Sequence, residues 1–286
     1  MPSVRRNRSL SPRRTLQARD RCRRCPPARA NEQLAVRLFQ GRTTHYSYQM
    51  SDPNFVTLTV ADGTEMRAYV AFPGSTGPVP GIILLQEAFG VNEHIRSVAD
   101  RLAAAGYAVI APELFHRTAA PGLEIAYANF ATEAMPHYVA INNPDLTADL
   151  RASYDWLQQQ ALVKTDKIGS VGFCLGGRVA FLANAVLPLA AAVSYYGGGT
   201  ETIADRAKDL HATHLFFWGG LDEHIGKAQI AQVIEAVEAA DKPYINTVIS
   251  YADHGFHCDA RPSYHPEAAK EAWALTLAFF GEKLGA

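Results

Sequence analysis

Gly172, Phe173, Cys174, Leu175 and Gly176 read as G-x-C-x-G. This is the spacing of a nucleophile elbow, with a thiol where a hydroxyl is more common. The motif falls where an apolar run, Lys167 to Phe173, gives way to a helix-forming run, Leu175 to Leu187. A nucleophile on so tight a strand-to-helix turn leaves no room for a Cβ two residues to either side, which accounts for both glycines. Cysteine attacks as thiolate, and an unperturbed pKa of about 8.5 leaves only a small fraction ionised at neutral pH. A working site therefore needs a base. The competing reading of Cys174 is a small core residue in a glycine-rich turn.

Two downstream positions supply the missing groups. Asp222 ends Phe216-Phe217-Trp218-Gly219-Gly220-Leu221-Asp222, and His254 lies in Tyr251-Ala252-Asp253-His254-Gly255-Phe256, each just after an apolar run. His254 would serve as base, and Asp222 would accept the other imidazole N–H, fixing the tautomer and stabilising imidazolium. Nucleophile, acid, histidine is the chain order of the α/β-hydrolase triad and differs from the chymotrypsin and subtilisin orders. Asp253 is assigned to shaping the histidine loop.

The elements that must position these groups can be read independently. Runs of β-branched and aromatic residues bounded by Gly, Pro or Asp predict strands near 55–60, 67–72, 81–86, 107–111, 167–173, 190–196, 214–219 and 245–250. Helical patterns fill most gaps, near 94–105, 145–160, 175–187, 225–239 and 266–283. Cys174 then follows the fifth strand, Asp222 the seventh and His254 the eighth, as in an α/β hydrolase. The expected fold class is α/β: an α/β-hydrolase fold with a mostly parallel central sheet of about eight strands flanked by helices and no large lid domain. Glu87, directly after the apolar Gly81 to Gln86 run, falls at the carboxyl end of a central strand, the active-site rim of such sheets.

Several segments together make the chain similar to the dienelactone hydrolase family of carboxymethylenebutenolidase-like hydrolases. They are Gln86-Glu87-Ala88-Phe89-Gly90-Val91-Asn92, Gly106-Tyr107 to Pro112-Glu113-Leu114-Phe115, Gly172 to Gly177, Tyr195-Tyr196-Gly197, Gly220-Leu221-Asp222 and His254-Gly255-Phe256. The resemblance runs from about residue 55 to 283 and implies a cofactor-independent ester or lactone hydrolase working through a thioester acyl-enzyme. It also implies that Glu87 contacts the resting thiol and that the backbone N–H groups of Ala88 and Leu175 form the oxyanion hole. In the family, two arginines hold a substrate carboxylate, one before the long helix and one four residues after the histidine. Here no arginine or lysine occurs between Arg117 and Arg151, and the position four after His254 is Cys258. Arg117 or Arg261 is expected to substitute, and Tyr195 or its neighbour Tyr196 to line the cleft.

Composition bounds the rest. Residues 50–286, 237 in all, fit one domain. Residues 1–49 hold 12 arginines, no lysine and two acids, whereas the remainder holds 15 basic and 26 acidic residues, so a total charge of −1 hides a sharp division. The arm reads as a disordered Arg-rich extension, or as sequence upstream of initiation at Met50. Its Arg13-Arg14 pair lacks the apolar segment that an export signal requires. Cys22 and Cys25 lack the four ligands of a structural zinc site, and His254, His257 and Cys258 read as turn residues, so no metal is expected. Cys174 and Cys258 make no disulfide framework, consistent with a cytoplasmic location. No run is apolar enough to cross a membrane. The expected partner is a small ester or lactone and not nucleic acid, and the expected state is a monomer or homodimer. The alternative function is a non-catalytic ligand-binding protein on the same fold, with the basic arm as an interaction module.

Overall fold

The apolar runs pair into one eight-stranded sheet. In the computed structural model, which describes residues 54–285, the strands are β1 (Phe55–Thr59), β2 (Glu65–Ala71), β3 (Val79–Leu85), β4 (Ala108–Pro112), β5 (Val163–Phe173), β6 (Ala191–Tyr195), β7 (His214–Gly219) and β8 (Tyr244–Ile249). Their order is β1-β2-β4-β3-β5-β6-β7-β8, antiparallel at β1–β2 and β2–β4 and parallel from β4 onward. The helices are α1 (Glu93–Ala104), α2 (Met135–Ala140), α3 (Asn143–Gln158), α4 (Leu175–Val186), α5 (Lys227–Ala239) and α6 (Pro266–Leu284). Expectations for the basic arm, including Cys22 and Cys25, lie outside the described residues.

Burial explains why the central strands were readable. Every residue of β3, β4, β6 and β7 is buried, as parallel strands covered on both faces must be, so their sequences are nearly unbroken apolar runs. The edge strand β8 is buried only at Ile249. Caps set the helix starts: the Asn92 side chain accepts the amide of Ile95 to begin α1, and Asn142 accepts that of Asp145 to begin α3.

Sequence periodicity misses the chain between β4 and α3. It winds through a 3₁₀ turn (Tyr127–Asn129), a π-helical turn (Phe130–Ala134) and the short α2. Its Ile125 and Ala134 pack with Ala88 and Phe89 in an apolar cluster separate from the main core. Polar ties hold the segment down: Gly122 N–H donates to Glu113, Arg96 pairs with Glu124 at 2.6 Å, and Asn92 donates to the Tyr127 hydroxyl at 3.0 Å. It forms a wall over the carboxyl ends of the strands and is no separate lid domain.

Arg117 belongs to that anchorage, which corrects its assignment as a substrate ligand. Its guanidinium donates to both carboxylate oxygens of Asp149, at 2.9 and 2.8 Å, and to Asp62 at 2.8 Å. His116 Nε2 also meets Asp149, at 3.0 Å. Asp149 is almost fully buried, and a buried carboxylate without a cation would be costly. Arg117 is thereby committed to Asp149 and does not line the cavity that contains Cys174.

Candidate active site

β5 ends at Phe173 and α4 begins at Leu175, so Cys174 makes the turn alone, at φ 54° and ψ −116°. A non-glycine residue held there costs on the order of 1–3 kcal/mol and persists only because its surroundings force it. The glycines do the forcing. A Cβ on Gly172 would overlap the carbonyl oxygen of Gly176, and one on Gly176 would overlap that of Leu85. One on Gly177 would stand 2.6 Å from the carbonyl oxygen of Tyr195. The turn is thus packed against the ends of both neighbouring strands, and the Cys174 side chain points into open space beyond the sheet.

There it meets the two groups that chain order had suggested. Sγ of Cys174 lies 3.3 Å from Nε2 of His254, and Nδ1 of His254 lies 2.8 Å from Oδ2 of Asp222. The other Asp222 oxygen accepts the amides of His224 and Ile225 at 2.7 and 3.0 Å, which fixes the carboxylate on the loop after β7. Asp253 accepts the His254 amide at 2.6 Å and shapes the histidine loop as expected. Burial opposes a charge on His254, yet the Asp222 carboxylate and the sulfur of Cys174 outweigh it and push the imidazole pKa up to about 10. Burial likewise works against the Asp222 charge, but the His254 hydrogen bond and the two amides hold its pKa below the ordinary carboxylate value. Together the groups favour a charged imidazole beside an ionised Asp222.

Glu87 takes a different partner from the one the resemblance implies. Its side chain is fully buried, and Oε1 pairs with Nη1 of Arg261 at 3.2 Å while Oε2 has no partner. No hydrogen bond joins Glu87 to Cys174 among the described residues; the thiol faces His254. A buried carboxylate seeks the nearest cation, and the loop after β8 delivers one. Gly255 permits this approach, since a Cβ there would stand 2.5 Å from the Arg261 guanidinium. Arg261 thus reaches the site, as one of the two expected cations.

The expected oxyanion donors lie on adjoining strand ends, because Leu85 of β3 is in register with Gly172 of β5. The Ala88 amide, in the loop after β3, donates to no acceptor among the described residues. That of Leu175 is the first amide of α4, one of those a helix leaves without an internal acceptor. The positive end of the helix points the same way.

A cavity of about 370 Å³ opens over Cys174. Besides Cys174, His254 and Arg261 it is lined by Phe89, Tyr127, Phe130 and Tyr138, with Gly198, Gly199 and His224 on other sides. The aromatic wall was not anticipated: three of its four rings come from the irregular segment after β4, whose only signal was the run of aromatic residues itself. Tyr195, expected to line the cleft, is instead a core residue. It is fully buried, its ring lies 4.6 Å from both Phe173 and Phe217, and its hydroxyl bonds Thr276 at 2.6 Å. The next residue turns toward the site: Tyr196, at φ 36°, has its ring 5.1 Å from that of His254. β6 ends at Tyr195, so Tyr196, with its positive φ, has left the strand and its ring turns away from the plane of its neighbour's, at 76°.

Metal-type ligands do gather nearby, as His94, Cys258 and Asp259 bring ligand atoms within 4.8 Å of one another. Two of them pair with each other and the third with Tyr127, while Nε2 of His94 has no partner. His94 meets Asp259 at 3.2 Å, and the Cys258 thiol donates to Tyr127 at 3.1 Å. Burial and the negative Glu87 push the Cys258 pKa up to about 11, which disfavours the thiolate that a metal requires.

Comparison with known proteins agrees with this geometry. The profile of the dienelactone hydrolase family matches residues 66–284. A protein of Yersinia pestis named "Putative carboxymethylenebutenolidase" is 37% identical over 234 residues, covering 78% of this chain and 86% of that one. A Synechocystis protein of the same name is 34% identical over 232 residues, covering 77% of this chain and 93% of its own. Among solved structures, a "Putative Dienelactone Hydrolase" from Klebsiella pneumoniae is 33% identical with a TM-score of 0.71, and the match covers 80% of this chain and 98% of the other. The strand order, the strained cysteine turn and these matches across most of the described residues agree: the chain belongs to the dienelactone hydrolase family, a family of ester and lactone hydrolases.

Proposed function

We propose that Cys174, His254 and Asp222 form the catalytic triad of a cofactor-independent hydrolase of small esters or lactones that works through a thioester. The reading rests on one observation above all: the unbroken contact from Cys174 Sγ through both nitrogens of His254 to Asp222, at 3.3 and 2.8 Å.

Each step follows from that geometry. The Cys174 thiolate attacks the ester carbonyl, and the carbonyl π electrons move onto oxygen, where the amides of Ala88 and Leu175 stabilise them. One such donor contributes on the order of 3 kcal/mol in comparable hydrolases. Collapse re-forms the carbonyl and breaks the C–O bond. The departing alkoxide or enolate takes the proton from Nε2 of the imidazolium. A water then gives a proton to His254 as it adds to the thioester, and a second collapse releases the acid and restores the thiolate. Thiolate is itself a good leaving group, so the site favours substrates whose own leaving group is better, as in an enol lactone. Arg261 takes the part of the missing carboxylate clamp, exchanging Glu87 for an acid group of the substrate. Residues 1–49 act as an extension separate from this chemistry.

A chromogenic acetate ester tests the proposal. Turnover by the purified chain that vanishes in Cys174→Ala is expected. Absence of turnover on every activated ester, or undiminished turnover in Cys174→Ala, would refute it.

A further inference from the structure

The aromatic wall of the cavity runs between two guanidinium groups, of which only one has a carboxylate. Arg261 stands at one end, 5.7 Å from the Phe89 ring and 5.9 Å from the Tyr127 ring. Ring contacts then pass along the wall, Tyr127 to Phe89 at 4.7 Å, Phe89 to Phe130 at 6.1 Å and Phe130 to Tyr138 at 6.1 Å. At the far end the Arg178 guanidinium lies 5.9 Å from the Tyr138 ring, within the range at which a cation is drawn to an aromatic face.

Arg178 is held there by the catalytic turn, because it belongs to the first turn of α4, four residues after Cys174. Its Nε is buried without a partner. Arg67, Arg96, Arg117, Arg206 and Arg261 each pair with a carboxylate. Among the described residues Arg101, Arg151 and Arg178 do not, but Arg101 stacks on Trp273 and Arg151 donates to the Val186 carbonyl, whereas Arg178 keeps a buried nitrogen without a partner. Glycine stands between it and the cavity. Gly199 lines the cavity at φ 83°, and a Cβ on it would come 3.3 Å from Cδ and 3.8 Å from Nη1 of Arg178. Arg178 does not itself line the cavity, but at that position only the Gly199 backbone separates the two. A half-buried guanidinium with an orphaned nitrogen is poorly compensated for its lost hydration, and a ligand anion would supply the compensation.

We propose that Arg178, with the Tyr138 ring and the wall at Gly199, forms a second anion-binding subsite, so that the substrate carries a carboxylate at each end of a flat, conjugated body. The rings of the wall accommodate the flat body, Arg261 receives one carboxylate and Arg178 the other, with Cys174 facing the bond between them. This rests on the hydrolase reading of the same cavity and specifies its substrate class.

The test compares two activated aryl esters, one neutral and one bearing a carboxylate on both the acyl and the leaving-group side. The quantity read is the ratio of their kcat/KM values. Arg178→Gln is expected to lower that ratio at least tenfold, Arg178→Lys to hold it within about threefold of wild type, and Arg178→Gln with Arg261→Gln to lower it by the product of the single effects. Binding of the dianionic ester to Cys174→Ala, followed by calorimetry, is expected to weaken at least tenfold when Arg178→Gln is added. An unchanged ratio and unchanged binding in folded Arg178→Gln would overturn the second subsite. Binding that weakens in a chain that hydrolyses neither ester would uphold the subsite and sink the hydrolase reading instead.

Discussion

Replacing Asp222 by asparagine removes one charge and almost no volume, so it isolates what the carboxylate does for His254. Oδ1 already holds the amides of His224 and Ile225, and the new carbonyl oxygen will stay with those two donors. The amide NH₂ then faces Nδ1 of His254, which must become an acceptor, and the imidazole proton moves to Nε2, where it cannot accept the thiol proton. The interaction lost is a charge-assisted hydrogen bond of 2.8 Å, a type that contributes about 1.5–3 kcal/mol. At about 1.4 kcal/mol per factor of ten, kcat/KM should fall roughly 10- to 150-fold. The pH profile should move as well. In the wild type the Asp222 carboxylate and the Cys174 sulfur push the His254 pKa up to about 10, so the alkaline limb, where the leaving group loses its acid, is expected there. Without the carboxylate, burial works against the charge with less opposition, and that limb shifts to lower pH. The assay is kcat/KM for a chromogenic acetate ester between pH 5 and 11. A variant within threefold of wild type, with its alkaline limb unmoved, would show that Asp222 does not tune the imidazole.

Three further outcomes follow from the same structure. Cys174→Ser should retain less than about a tenth of wild-type kcat, a barrier change above ~1.4 kcal/mol, because the proposed mechanism uses a thiolate nucleophile and a hydroxyl is far harder to ionise; better retention in steady-state kinetics would argue against that mechanism. Arg117→Leu should cost about 3 kcal/mol in urea unfolding, since it leaves the buried Asp149 with only His116; a loss below 1 kcal/mol would mean that water already reaches the carboxylate. Deleting residues 1–49 should leave ester kinetics unchanged, and failure of the shortened chain to fold would assign the arm a structural task.

Local rules make much of this protein legible in its sequence. β3, β4, β6 and β7 are buried throughout, so each strand wrote itself as an apolar run, and the observed bounds fall within a few residues of the expected ones. Gly172 and Gly176 announce the cysteine turn because their requirement is steric and short in range: carbonyl oxygens occupy the space a Cβ would need. Chain order points to Asp222 and His254, and because a parallel sheet returns each strand's carboxyl end to the same rim, their side chains come into contact with Cys174 there.

The choice among equivalent side chains was a different matter. Arg117 and Arg261 are interchangeable as letters, yet one is claimed by Asp149 and the other by Glu87. Tyr195 and Tyr196 are adjacent, and only the end of β6 sends one into the core and the other toward His254. The aromatic wall comes from turns too short and irregular to carry a period. Steric and periodic constraints act within a few residues and are therefore written along the chain. Which charge meets which, and which ring borders the cavity, depends on contacts between distant segments that exist only once the sheet has closed around its core.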